Sequence, residues 1–173
     1  MSHLSDQKGK RIAIGARGNG MHILTKAMLA ASGIDESNTT LLEIGGEAAS
    51  TRLRNGRLDA AIFVDVASSE VIRETIADKR LTLFNLDAAE AFTRKFAALH
   101  HLVLPEGAMD LARNIPNNDI QMVAPTATLV VKESMHPALV YLMMKIIAEV
   151  HGGPSLFNQK GEFPSAKDTD FPV

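Results

Sequence analysis

Between Arg11 and Leu29 the chain reads RIAIGARGNGMHILTKAML: a short β-branched run, three glycines, and a helix-forming stretch whose start carries no acidic residue. The first amides of a helix lack internal partners and bear partial positive charge. A loop free of carboxylates at such a place offers those amides to an external anion. The glycines fall as G-x-x-G-x-G at Gly15, Gly18 and Gly20. A dinucleotide fingerprint needs G-x-G-x-x-G, with its glycines at the tight turn and at the pyrophosphate. Glu43, ending the next expected strand, stands where a ribose-binding acid would stand, but the fingerprint it should accompany is absent. No G-K-[ST] follows the loop, so a triphosphate-binding loop is excluded as well.

Other reactive groups do not converge in the sequence. His100 and His101 are adjacent, and neighbouring side chains diverge on a strand or a helix instead of meeting at one metal. His22, His136 and His151 are scattered, and there is neither an H-x-x-x-H pair nor a G-x-S-x-G elbow. The run RETIADKR, Arg73–Arg80, mixes opposite charges and reads as a solvated helix face, and Met143 with Met144 reads as core filler. These features call for no metal and no cofactor.

The elements that must carry the loop alternate between strand and helix. Arg11–Gly15 reads as a strand, and Leu24, Ala27, Met28 and Ala31 mark one face of a helix stopped by Gly33. Thr40–Ile44 is the next strand, Glu47–Asn55 a helix ended at Gly56, and Asp59–Val64 a buried strand. Ser69 can cap a helix with Ile72, Thr75 and Ile76 inward, and Leu81–Leu86 reads as a strand. Asp87 with Glu90 resembles a capping box for a helix over Ala88–Leu99. HHLVLPEGAMDLARNIPNND reads as an irregular crossing connection with one short helical turn. Thr126–Glu133 reads as a strand, and Pro137 opens a helix to Val150 with Leu139, Val140, Met143, Ile146 and Ile147 on a wide apolar face, closed by Gly152 and Gly153. The residues after Pro154 show no periodicity.

This alternation predicts an α/β fold: a three-layer sandwich of a mostly parallel sheet with one antiparallel strand and helices on both faces, its ligand edge at the carboxyl ends of the strands. The expected division is a tag or linker over 1–10, an α/β domain over 11–125, a return strand and helix over 126–153, and an irregular tail over 154–173. The bulk numbers permit it. A chain of 173 residues with 46% hydrophobic composition can bury one domain's core. A net charge of -2, one Tyr, seven Phe and no Trp provide neither the basic field nor the stacking surface that nucleic acid demands. The absence of cysteine excludes disulfides and thiolate zinc sites without fixing a compartment. No charged-then-apolar leader opens the sequence, and its longest apolar stretch, Ala138–Met144, is far below the roughly 20 residues that span a bilayer.

GKRIAIGARGNGMHILTKAMLAASGI resembles the G-K-x-[IV]-[AS]-[IV]-G-x-x-G-S-G-[TM] stretch that opens the second lobe of the TAXI branch of bacterial periplasmic solute-binding proteins, receptors for tripartite ATP-independent (TRAP) transporters. The resemblance runs on through GGEAASTRLRNGRLDAAIFV, LPEGAMDLARNIPNNDIQMVAPTATLVV, HPALVYLMMKIIAEVHGG and GEFPSAKDTDFPV, nearly the whole chain. The loop alone is common among binding-protein folds; its combination with G-x-L-D-A-A and the GEFP tail is more specific. Asn19 and Met21 stand where the family commonly has Ser and Thr, so one hydroxyl becomes an amide and another is lost.

The resemblance implies one lobe of a type II periplasmic binding fold, without catalysis, holding a small anionic or zwitterionic solute between lobes at the periplasmic or outer face of the membrane and delivering it to permease subunits. It further implies a fragment, with the preceding lobe, a signal or anchor and one crossover strand outside the sequence, and with Met1–His3 a cloning remnant. Asn19, Gly20, Met21 and His22 are then the best ligand contacts, with Gly18 in the same loop and Arg17 adding positive charge at the rim. Glu47, Asp65 and Val66 fall on the same edge; Glu47 reads first as a favourable charge at a helix start. The rival readings are an α/β enzyme and a transcription regulator's effector-binding domain, which a preceding helix-turn-helix would reveal. The loss of a lobe should leave an open sheet edge beside Asp59–Val64. Thr126–Glu133 is then expected either to fold back into that place or to be exchanged in a homodimer.

Overall fold

The computed structural model describes residues 3–66, 68–157 and 160. At its centre lies a parallel sheet of three short strands, β1 (Arg11–Ala13), β2 (Thr40–Leu42) and β3 (Ala60–Ala61), in the order β2-β1-β3. Ile12 is paired with Leu41 on one side and with Ala60 on the other. Side chains alternate across the strand, so β1 supplies both faces. Ile12 and Ile14 pack with Ile34 and with Leu29 of α1 (Gly20–Ala31), while Ala13 packs with Leu58 and with Ala49 of α2 (Gly46–Arg54). Helices therefore cover both faces, as expected of the α/β class.

The amino edge of the sheet is closed by charge. The Asp59 carboxylate accepts the Arg11 backbone amide at 2.8 Å and two guanidinium hydrogen bonds at 2.9 Å. Those bonds, the guanidinium's above all, hold the Asp59 carboxyl well below the usual range. Behind α2 lies α3 (Glu70–Ala77), tied to it by a 2.6 Å bond between the buried hydroxyls of Ser50 and Thr75 and by an Arg54–Glu74 ion pair at 3.3 Å.

A second apolar cluster forms where α4 (Ala89–Lys95) meets a hairpin of β4 (Leu99–Leu104) and β5 (Ile120–Pro125). Leu86, Ala89, Phe92 and Leu99 are its buried members, and Leu24 and Met28 of α1 pack against them. The last helix among the described residues, α5 (Pro137–His151), has no buried residue.

Several expectations need correction. HHLVLPEGAMDLARNIPNND is not an irregular crossing: its start is β4, paired antiparallel with β5 from Leu99↔Pro125 to Leu104↔Ile120. The helix expected over Ala88–Leu99 stops at Lys95, because Leu99 joins that hairpin. Leu81–Leu86 forms no strand; its end meets the hairpin through Leu86, whose amide donates to Gln121 O at 2.9 Å, and through Asn85, whose Oδ1 accepts the Gln121 amide at 2.6 Å. Thr126–Glu133 also forms no strand and has not folded back against β3. The antiparallel element is the β4–β5 pair immediately before it. Ser69 makes no side-chain cap. The Asp87–Glu90 capping box is likewise absent, since Asp87 bonds to Asn85 and Glu90 to Arg94. On α1 the buried face is His22, Thr25 and Leu29, with Ala27 and Ala31 exposed. Two sheets of contacts on adjacent sides of one helix displaced the single stripe read from the sequence.

Leu4–Gln7, inside the expected tag, forms a 3-10 turn, and Leu4 packs against both apolar clusters. Met1, Ser2, and residues 158, 159 and 161–173 of the expected tail, with the GEFP segment, lie outside the described residues.

Candidate functional site

The loops after β1 and β2 leave the sheet side by side at its carboxyl edge. The Ile14 amide donates to Leu42 O at 3.0 Å and the Gly15 amide to Ile44 O at 2.9 Å, so the pairing continues past both strands. A β-carbon at Gly45 would stand 3.3 Å from the Gly15 Cα, which makes this a contact of backbone on backbone. Gly15 and Gly18 both adopt the left-handed region, at φ +91° and +88°, and turn the chain into α1.

Asn19 caps α1: its side-chain oxygen accepts the His22 amide at 2.8 Å. Among the described residues, nothing in the protein pairs with the amides of Gly20 and Met21. At the start of α2, Gly45 offers no side-chain cap, and the amides of Gly46 and Glu47 are likewise without a protein partner among the described residues. Two helix starts with open donors thus arise from loops in direct contact. They differ in charge: Glu47 occupies the first turn of α2, whereas the first turn of α1 has no acid. An incoming anion meets repulsion at α2 and none at α1.

A charged group of three residues braces the loop. Arg17 donates two hydrogen bonds to Glu43, at 2.9 and 3.1 Å. Beneath them is the buried imidazole of His22. Its Nδ1 lies 3.3 Å from Gly15 O, and since a carbonyl only accepts, that nitrogen carries the proton. Its Nε2 faces Glu43 at 3.7 Å, beyond hydrogen-bond distance. The Arg17 guanidinium, and secondarily its charge, holds the Glu43 carboxyl below its ordinary value. The positive charge expected at the rim is therefore already met by Glu43, although the Arg17 side chain is 81% exposed.

The structure brings Arg17, Gly18, Asn19, Gly20, Met21 and His22 together with Glu47 at the paired loops. Asp65 and Val66 follow β3 on the same edge. The Asp65 carboxylate accepts the Val66 amide at 2.8 Å, and among the described residues no hydrogen bond joins either residue to the glycine loops. Two participants were missed from sequence. Glu43 reads in the sequence only as a ribose acid, and the signal for Gly45 is the GG pair ahead of α2. The two adjacent histidines diverge as their spacing requires, His100 to Thr126 Oγ1 and His101 to Gln121 Oε1, each at 2.6 Å.

A parallel sheet clad by helices, with glycine loops at its carboxyl edge, has the architecture of one lobe of a periplasmic binding protein. The NMT1-like family model matches residues 1–160, and the chain belongs to that family. The family is periplasmic binding-protein-like, with solute binding as its general function. Its members are generally extracellular or periplasmic, and among the described residues no helix is long and apolar enough to cross a membrane.

Proposed function

We propose that this chain contributes one wall of a solute cleft and that the start of α1 receives the negative end of a small carboxylate or amino-acid-like solute. The observation that carries this is the pair of open amides at Gly20 and Met21, set on a helix whose first turn has no acid. Each amide can give a charge-assisted hydrogen bond to a carboxylate oxygen, and the helix adds its own field. The resemblance to the TAXI branch supports a further reading, in which the solute is handed to the permease subunits of a TRAP transporter at the outer face of the membrane. No group in the site is arranged as nucleophile and base, which favours capture over conversion.

Amide chemical shifts measured during titration with millimolar acetate, succinate and glutamate test the proposal. Saturable shifts at Gly18–His22 with weak affinity are expected, because one wall supplies only part of the contacts that normally bury a ligand. If these amides stay unmoved by every carboxylate, the reading fails. Tight binding by this chain alone would show a complete site and favour an enzyme or an effector-binding domain.

A further inference from the structure

The buried imidazole of His22 is only half used. The residue is 8% exposed, and Gly15 O, 3.3 Å away, fixes its Nδ1 as the donor. Nε2 is then left with a lone pair, and what it faces is an acceptor as well, Glu43 Oε1 at 3.7 Å. No hydrogen bond joins the two at that distance. The same Oε1 accepts Arg17 Nη2 at 3.1 Å, the longer of the guanidinium's two bonds to Glu43. A proton on Nε2 would turn the confrontation of two acceptors into a charge-assisted pair, and a carboxylate oxygen has lone pairs for both donors. Histidine is the side chain whose charge ordinarily changes between about pH 5 and 8. The charged residues on the elements about the ring are Glu43 after β2, Arg17 in the glycine loop, Lys26 one turn along α1, where it is paired with Glu36, and Glu47 in the first turn of α2.

We infer that capture of a carboxylate at the start of α1 takes up a proton on His22 Nε2, so that the solute is held more tightly in mild acid than in mild base. This rests on the reading that the Gly20 and Met21 amides receive the carboxylate. With a neutral ring the charges of Arg17 and Glu43 cancel; with the proton in place the three side chains carry one net positive charge, on the residue next to Met21. The proton comes from solvent and adds to the Nε2 lone pair, and the Nδ1 bond to Gly15 O stays as it is. The sign follows from reciprocity. An anion at the amides favours the charged ring, and the charged ring favours the anion by the same factor. Affinity is therefore full below the midpoint of the His22 titration and declines as pH rises through it. The buried ring makes this a property of the site instead of the surface, because a charge removed from bulk water acts on its neighbours through a lower effective dielectric.

Histidine ring and backbone amide resonances, followed from about pH 5.5 to about pH 8 with and without millimolar acetate, read the two events separately. Acetate is mostly ionised even at the acid end, where its small neutral fraction works against the expected change. It should raise the midpoint of the His22 ring titration and bind about fivefold more tightly at the acid end, as read from the Gly18–His22 amides. Glu43→Gln, at an exposed residue, leaves the Arg17 charge unmatched beside the ring. The His22 midpoint should then fall, and most of the pH dependence within that range should vanish. His22→Gln, whose amide can still donate to Gly15 O, should bind acetate equally at both ends. Equal affinity at both ends in the wild-type chain overturns the inference, while saturable amide shifts in the same spectra uphold the reading beneath it. Amides unmoved at either pH end both. Full pH dependence in His22→Gln assigns the proton to another histidine and overturns the inference; should that variant fail to fold, full dependence in Glu43→Gln does the same.

Discussion

The last described forty residues are more apolar than the first sixty, yet it is the first sixty that enclose their apolar side chains. In the first region every apolar residue of β1 is enclosed, Ile12 and Ala13 being at most 1% exposed. In the second, a fifteen-residue helix of mostly apolar side chains has none buried. Hydropathy marks what is suited to burial; only a partner surface buries it. The first region carries its partners locally, since each strand is followed by the helix that covers it. Among the described residues beyond Thr126 no strand pairs with a covering helix in this way.

The contrast can be broken most directly by core substitution. Leu29→Ala should lower stability by about 3 kcal/mol, as cavity-forming changes in packed cores do, whereas Leu139→Ala measured in dilute protein should change it by no more than about 0.5 kcal/mol. Urea unfolding followed by circular dichroism gives both values. Comparable losses would mean that α5 is packed after all.

Gly15→Ala tests the paired loops at the carboxyl edge. It forces an alanine into φ +91° with its β-carbon 2.9 Å from Met21 Cε, which a methionine can partly relieve, and 3.3 Å from the His22 amide nitrogen, which it cannot. A loss of about 2 kcal/mol is expected, together with loss of the carboxylate-induced shifts at Gly18–His22. Asn19→Ala removes only the cap of α1 and should cost about 1 kcal/mol. An unchanged melting temperature in Asn19→Ala would show that the cap is idle.

The smallest expected effect is in acid. Asp59 and Glu43 both have carboxyls depressed by arginine partners in the folded chain. Their contribution is therefore complete above the unfolded carboxylate range, about pH 4, and is lost as pH falls through the lower folded values. Stability should decline below about pH 4, and Asp59→Asn should flatten that decline. Exposure of these pairs keeps the effect small. A wild-type slope retained in Asp59→Asn would remove Asp59 from the account.

The first region was also the more legible one. β1, β2, α1 and α2 lie within a residue or two of their expected bounds, because glycine punctuation and burial pattern agree there: Gly33 and Gly56 both take positive φ just beyond the helices they end. Legibility failed where local pattern and tertiary pairing conflict. Leu99–Leu104 continues a helical run in sequence but finds β5 twenty residues later, and LHHLVL reads as strand only once that partner is known. Thr126–Glu133 has β-branched residues and no partner strand, so its propensity goes unused. At the site, the glycine loop could be read directly from its spacing. The contact of Gly15 with Gly45 could not, since it depends on two strands being neighbours in the sheet.

Helix α1 lies against two clusters, Leu29 on the sheet side and Leu24 with Met28 on the hairpin side. It is a party wall, and neither room stands without it. The two clusters should therefore open together, their slowest amides exchanging with one common free energy instead of two. The open amides at Gly20 and Met21 are at one end of that wall. A solute held there would steady both rooms at once, and protection would rise as far away as Leu104 on β4, which no ligand at the loop could touch.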